Sequence, residues 1–143
     1  MTPRLTPVEL RQGGVRDLDD VLELWRRSEA SESVSDSVDA LRGLLELDAG
    51  ALLLAEAEGR VVGTLIAAWN GWRGSLYRLA VEPALRRRGV ATLLVRAGER
   101  RLRERGALRI DALAATGDPM ATGFWRSCGY VHQPERARFV RDF

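Results

Sequence analysis

The chain has 143 residues, 45% hydrophobic and 29% charged, enough for one buried core and close to the commonest single-domain size, so residues 1–143 are expected to form one domain. No stretch reaches the roughly 18 to 20 apolar residues of a membrane span, and Met1-Thr2-Pro3-Arg4-Leu5-Thr6-Pro7 lacks a signal-peptide core, which predicts a cytoplasmic protein without a membrane partner. The 22 basic residues, all arginine, face 20 acids spread through the same chain, so a nucleic-acid partner is not expected.

From Asp17 to Arg27, Leu18, Val21, Leu22 and Trp25 recur at helical spacing, with acids first and arginines last as the helix dipole prefers. A polar, acidic loop follows. From Ser37 the pattern Val38, Leu41, Leu44, Leu45 predicts a second helix to about Asp48. The period then changes. Residues 51–57 and 60–68 are apolar runs separated by Glu58-Gly59, which predicts an antiparallel hairpin. Asn70-Gly71-Trp72-Arg73-Gly74 is a second turn, and residues 75–81 form a third strand stopped by Pro83.

Past Arg86-Arg87-Arg88-Gly89, the residues Ala91, Leu94, Val95, Gly98 and Leu102 share one helical face, with Arg96, Arg100 and Arg103 opposite and Gly106 as the stop. Residues 107–114 read as a strand, 119–128 as a short helix started at Asp118, and 130–143 as terminal strands interrupted at Pro134. The sole cysteine, Cys128, excludes an intrachain disulfide and a multi-cysteine zinc site; it reads as a small buried residue, and no metal is expected. The order of elements predicts an α+β fold: about four helices on a mixed, mostly antiparallel sheet of six to seven strands, in three α/β/α layers.

The turn from Arg86 to Thr92 carries the chemistry. A helix start normally has Ser, Thr, Asp or Asn to satisfy its orphan N–H groups, but here Gly89 is followed by Val90, and neither side chain offers an acceptor. Glycine allows close backbone approach, Ala91 is small, and the helix dipole with three arginines favours an anion of the pyrophosphate type.

Leu79-Ala80-Val81-Glu82-Pro83, then Arg86-x-x-Gly89-x-Ala91 and a long helix, resembles the signature segment of the GNAT N-acetyltransferase superfamily. Gly63-Thr64 upstream, and Asp118-Pro119-Met120-Ala121, Trp125 and Gly129-Tyr130 downstream, extend the resemblance over nearly the whole chain. Gly71-x-Arg73-Gly74-Ser75, with Gly123 and Gly129-Tyr130 later, resembles more closely a bacterial branch of small single-domain members. The resemblance implies acetyl-CoA as cofactor, a sheet splayed where it binds, and transfer of an acetyl group to a primary amine of a small molecule, protein or peptide. Main-chain groups of Leu79, Ala80 and Val81 are then expected to pair with the pantetheine arm. The turn Arg86, Arg87, Arg88, Gly89, Val90, Ala91 and Thr92 is expected to hold the pyrophosphate. Asp118 and Trp125 are expected to flank the thioester end.

Acyl transfer to an amine needs a neutral amine, a polarised carbonyl and a proton for the leaving thiol. Family members often supply that proton from a Tyr where this chain has Trp125, whose indole N–H is no acid. A carboxylate is often found in the strand where this chain has Ser75, Leu76, Tyr77 and Arg78. Tyr77 is the candidate acid; Asp111 and Glu82 are candidates to activate an amine through water, and His132 reads as structural. Glu29, Glu32 and Asp36, in the loop between the first two helices, are candidates to attract a protonated amine. The missing acid and base keep open a second reading, an acyl-CoA-sensing module without turnover. An arginine-rich nucleic-acid binder, with strongly salt-dependent affinity, is a third. A monomer or homodimer is expected.

Overall fold

The computed structural model describes residues 7–28, 32–114 and 117–143, in two units: a first that runs to Ala112 and a second from Leu113 to Phe143. The first unit is built on a five-stranded sheet in chain order. Strands β1 (Glu9–Gln12), β2 (Leu52–Ala57), β3 (Arg60–Trp69) and β4 (Gly74–Val81) pair antiparallel with their neighbours. The last strand, β5 (Ile110–Ala112), runs parallel to β4. The sheet is therefore mixed, as expected, but has five strands among the described residues rather than six to seven.

Helices α1 (Leu18–Arg27) and α2 (Val38–Leu47) cover one face of the sheet. Their Leu18, Val21, Leu22, Trp25, Leu41 and Leu45 form one cluster with Leu52, Leu54, Val61, Ile66 and Ala80. Each buried Leu, Val or Ile among them contributes about 1.5–3 kcal/mol by leaving water. Ser37 starts α2 by accepting the Ala40 N–H at 3.1 Å, a cap the sequence predicts.

The opposite face carries α3 (Val90–Glu104), held close by small residues. A Cβ at Gly98 would stand 2.9 Å from Leu65 Cδ2, at Gly74 2.7 Å from Leu102 Cδ1, and at Gly63 3.0 Å from Leu94 Cδ1. These approaches fix α3 over β3 and β4, and so fix where its N-terminus opens. The β2–β3 hairpin turns at Glu58 (φ 52°) and Gly59 (φ 73°), the two left-handed residues that a tight hairpin requires.

Two expectations change. Strand β1 lies ahead of the first expected element, where no strand is expected because Glu9-Leu10-Arg11-Gln12 shows no apolar alternation. It forms because β2 offers an edge and because Arg11 binds Glu56 (2.5 Å) and Asp17 (2.8 Å). The Asp17 carboxyl also accepts the Gly14 N–H at 2.8 Å, and Arg11 holds it below the ordinary carboxylate range despite burial.

The expected terminal strands over 130–143 do not form; no strand occurs there among the described residues. Val131, Phe139 and Val140 are exposed, and strand propensity alone forms no ladder without a partner. The second unit instead contains α4 (Pro119–Ser127), capped by Asp118 and followed by a left-handed Gly129 (φ 94°). Cys128 is buried, as expected.

Candidate functional site

The arginine-glycine turn leads into α3 as the sequence predicts. Gly89 is the N-cap residue, in the left-handed region at φ 81°, and makes no side-chain cap. The helix closes with Leu93 N–H on Gly89 C=O at 3.0 Å. The N–H groups of Val90, Ala91 and Thr92 have no acceptor among the described residues, as expected for the orphan donors of a first turn. Space above Gly89 is open: a Cβ there would meet nothing within 4 Å. Arg87 (φ 64°) is also left-handed. The side chains of Arg86, Arg87 and Arg88 stand at the surface, with Arg86 Nη2 donating to the Ser28 carbonyl at 3.2 Å. Val90 is 3% exposed and anchors the first turn against the sheet.

Alongside this turn, β4 loses its outer neighbour. Its ladder with β5 holds only Gly74, Ser75 and Leu76, opposite Ile110, Asp111 and Ala112. From Tyr77 to Val81 no strand pairs with the outer edge of β4 among the described residues, so the outward main-chain groups of Leu79, Ala80 and Val81 are available to an extended ligand. The sheet opens here towards the α3 N-terminus.

A bulge sits at the start of this open stretch. Thr64 pairs with Ala80 but Ile66 with Tyr77, so β4 carries one extra residue opposite Leu65. Arg78 takes up the extra length in the left-handed region (φ 54°), which is strained for a residue with a Cβ. Several partners hold it there. Its carbonyl accepts from Thr64 Oγ1 at 2.9 Å, which in turn accepts Trp25 Nε1–H at 2.8 Å. Its guanidinium lies 5.2 Å from the centre of the Trp25 ring and binds Asp36 at 2.5 Å. Thr64 is fully buried. A chain of bonds thus runs from α1 and the loop before α2 into the bulge.

Register puts Ser75 and Tyr77 on the face that carries α1 and α2, opposite Ala68 and Ile66, and Asp111 beside Ser75. Ser75 Oγ donates to Asp111 Oδ1 at 2.5 Å. Tyr77, the candidate acid, is 44% exposed on that face rather than packed in the core. Sequence reasoning named Asp111 but missed its partner, because the two residues, 36 positions apart, meet only through the register of β4 with β5. It also gave Asp36 to a substrate amine, whereas Arg78 takes that carboxylate. Glu32 is exposed, and Glu29 lies outside the described residues. Glu82 is engaged by Arg27 at 2.8 Å.

Asp118 and Trp125 belong to the second unit. Asp118 Oδ1 accepts the N–H groups of Met120 (3.0 Å) and Ala121 (3.3 Å), so this carboxylate caps its own helix. Trp125 packs edge-to-face with Phe124 and Tyr130. His132 is exposed, not built into a core. Among the described residues no cluster of three metal-binding side chains occurs, and no helix is long and apolar enough to cross a membrane.

Residues 18–130 match the family model described as "Acetyltransferase (GNAT) family". The chain belongs to that family. As a GNAT protein it is an N-acetyltransferase that uses acetyl-CoA. Solved structures share the fold. Ard1 from Thermoplasma volcanium matches with a TM-score of 0.78 at 20% identity, covering 87% of this chain and 82% of its own. The aminoglycoside N-acetyltransferase AAC(6')-Iy, solved in complex with CoA, matches at 0.72 and 23% identity, covering 99% of each chain. The PaiA N-acetyltransferase from Thermoplasma acidophilum, also in complex with coenzyme A, matches at 0.73 and 16% identity, covering 85% and 87%. The uncapped α3 turn and the open β4 edge are what a phosphate-headed, extended cofactor needs, and the residues present fit it.

Proposed function

We propose that this GNAT protein acetylates a primary amine presented on the α1/α2 face of the sheet, on a small molecule or on a protein or peptide. The observation that carries the reading is the meeting, within one unit, of three features: the uncapped start of α3, the unpaired edge of β4, and the Ser75–Asp111 pair at the point where β4 and β5 part. Acetyl-CoA, when bound, supplies the activated acetyl thioester. Main-chain groups of Leu79, Ala80 and Val81 hold its extended arm as a further strand would be held. The N–H groups from Arg87 to Thr92 hold the pyrophosphate, helped by the helix dipole, and Arg86, Arg87 and Arg88 add attraction at longer range.

Asp111, fixed by Ser75 Oγ, accepts a proton from the incoming ammonium, directly or through one water. Tyr77 Oη is the proton donor on the same face. Arg78, locked by Asp36 and Thr64, keeps the bulged backbone of β4 in one conformation, so its dipoles do not have to reorganise during transfer.

The test follows free thiol released from acetyl-CoA with a panel of amines: aminoglycosides, as the similarity to AAC(6')-Iy suggests, then polyamines and peptides with free N-termini. Acceptor-dependent thiol release supports the reading. Saturable acetyl-CoA binding without acceptor-dependent release across the panel would leave the sensing module instead.

A further inference from the structure

At the other end of the first unit, a cleft of about 550 Å³ is lined by Trp69, Trp72, Arg73, Arg105, Leu108 and Arg109, with two glycines. Three of the lining residues are arginines and none is acidic. Arg105 reaches Asp48 only at 3.7 Å, because Asp48 is engaged by Arg101. The side chains of Arg73 and Arg109 make no hydrogen bond or ion pair among the described residues. Three like charges around one concavity repel one another, and an anion relieves that repulsion.

Two apolar residues of the lining also stand outside the core. Trp72 is 69% exposed and Leu108 fully exposed. The turn that presents Trp72 is nonetheless fixed: Asn70 Oδ1 accepts the N–H groups of Trp72 (2.9 Å) and Arg73 (2.7 Å). The Arg73 guanidinium lies 4.0 Å from the Trp72 ring centre and covers one face of the indole. The exposed remainder is a preformed surface for a second flat group beside a row of positive charge. The volume lies within the range of small-molecule sites, about 300–1,000 Å³.

We propose that this cleft is a second ligand site, for a free mononucleotide whose base stacks on Trp72 and whose phosphates sit among Arg73, Arg105 and Arg109. It is separate from the acetyl-CoA turn. The two lie at opposite ends of α3, whose 15 residues span about 22 Å. The proposal does not rest on the transferase reading.

Equilibrium dialysis of the full chain with ADP and without CoA, which itself carries an adenine base and phosphates, tests it, the binding that Trp72→Ala weakens being that of the cleft. One saturable site is expected, with adenosine and pyrophosphate each bound at least tenfold more weakly, since each has only half of the recognition. Trp72→Ala is expected to weaken ADP about tenfold, the order of a lost base-aromatic stack. The double change Arg73→Ala with Arg109→Ala is expected to weaken it likewise and to flatten its salt dependence. Both variants lie on the surface, and unchanged CoA binding will show that they fold. Absence of saturable ADP binding up to millimolar concentration overturns the proposal, as does ADP binding that neither variant alters. A single-stranded oligonucleotide that binds this cleft more tightly than ADP also overturns it, in favour of a nucleic-acid surface.

Discussion

Replacing Thr64 by valine removes one oxygen and keeps the shape, so it isolates the bond chain into the β4 bulge. Thr64 Oγ1 accepts from Trp25 Nε1 at 2.8 Å and donates to the Arg78 carbonyl at 2.9 Å. Without it the indole N–H of Trp25, a residue only 3% exposed, has no acceptor, and the bulge carbonyl loses a donor. Each group left unsatisfied costs about 1.5 kcal/mol, within the usual range for buried polar groups, and the added methyl returns about 0.8 kcal/mol. The net loss is about 2 kcal/mol. For a chain of 143 residues that lowers the melting temperature by about 7 °C, at about 3–4 °C per kcal/mol. Thermal melting followed by circular dichroism reads this directly, and Thr64→Ser, which keeps the hydroxyl, is expected to lose about half as much. A freed bulge also disturbs the backbone that receives the cofactor, so CoA affinity is expected to fall in Thr64→Val and to hold in Thr64→Ser. If Thr64→Val melts within about 0.5 kcal/mol of the parent, or Thr64→Ser is the worse of the two, the bond chain does not hold the bulge.

Three further outcomes are expected. Gly89→Val meets no neighbour at its Cβ but forces a branched residue to φ 81° and fills the space above the α3 turn; about 1–3 kcal/mol of strain should leave far-UV circular dichroism intact while CoA affinity by calorimetry drops at least tenfold, and unchanged affinity would refute the pyrophosphate assignment. Asp111→Asn keeps the bond to Ser75 but cannot take a proton; turnover should fall about 100-fold or more with the KM for acetyl-CoA unaltered, and a variant as fast as the parent would remove Asp111 from the chemistry. Arg11 holds the Asp17 carboxyl below its ordinary 3.8, so the stability this pair adds is complete above that pH and is lost as pH falls through the lower folded value. Asp17→Asn should therefore melt below the parent at neutral pH, with the gap closing as pH is taken under 3.8, and a gap independent of pH would contradict the pairing.

The sequence by itself determined the elements whose signals are local. Leu18, Val21, Leu22 and Trp25 repeat at helical spacing and are buried together in α1. The Glu58-Gly59 pair takes the left-handed geometry of a tight turn. Gly89 with no capping side chain after it marked the α3 N-terminus, because helix capping is decided within a few residues.

Only the tertiary structure decided what depends on a partner far along the chain. Glu9–Gln12 becomes a strand because β2 offers an edge, and residues 130–143, though apolar enough in places, form no such ladder among the described residues. The bulge at Arg78 is invisible in the run Ser75 to Val81, since an extra residue exists only relative to the opposite strand. The Ser75–Asp111 bond depends on a parallel register, and Asp36 is claimed by Arg78 across 42 positions. Spacing along the chain reports the surroundings of a residue in its own helix or turn. Register, charge pairing and the opening of the sheet are set by which edges and faces meet when the core closes.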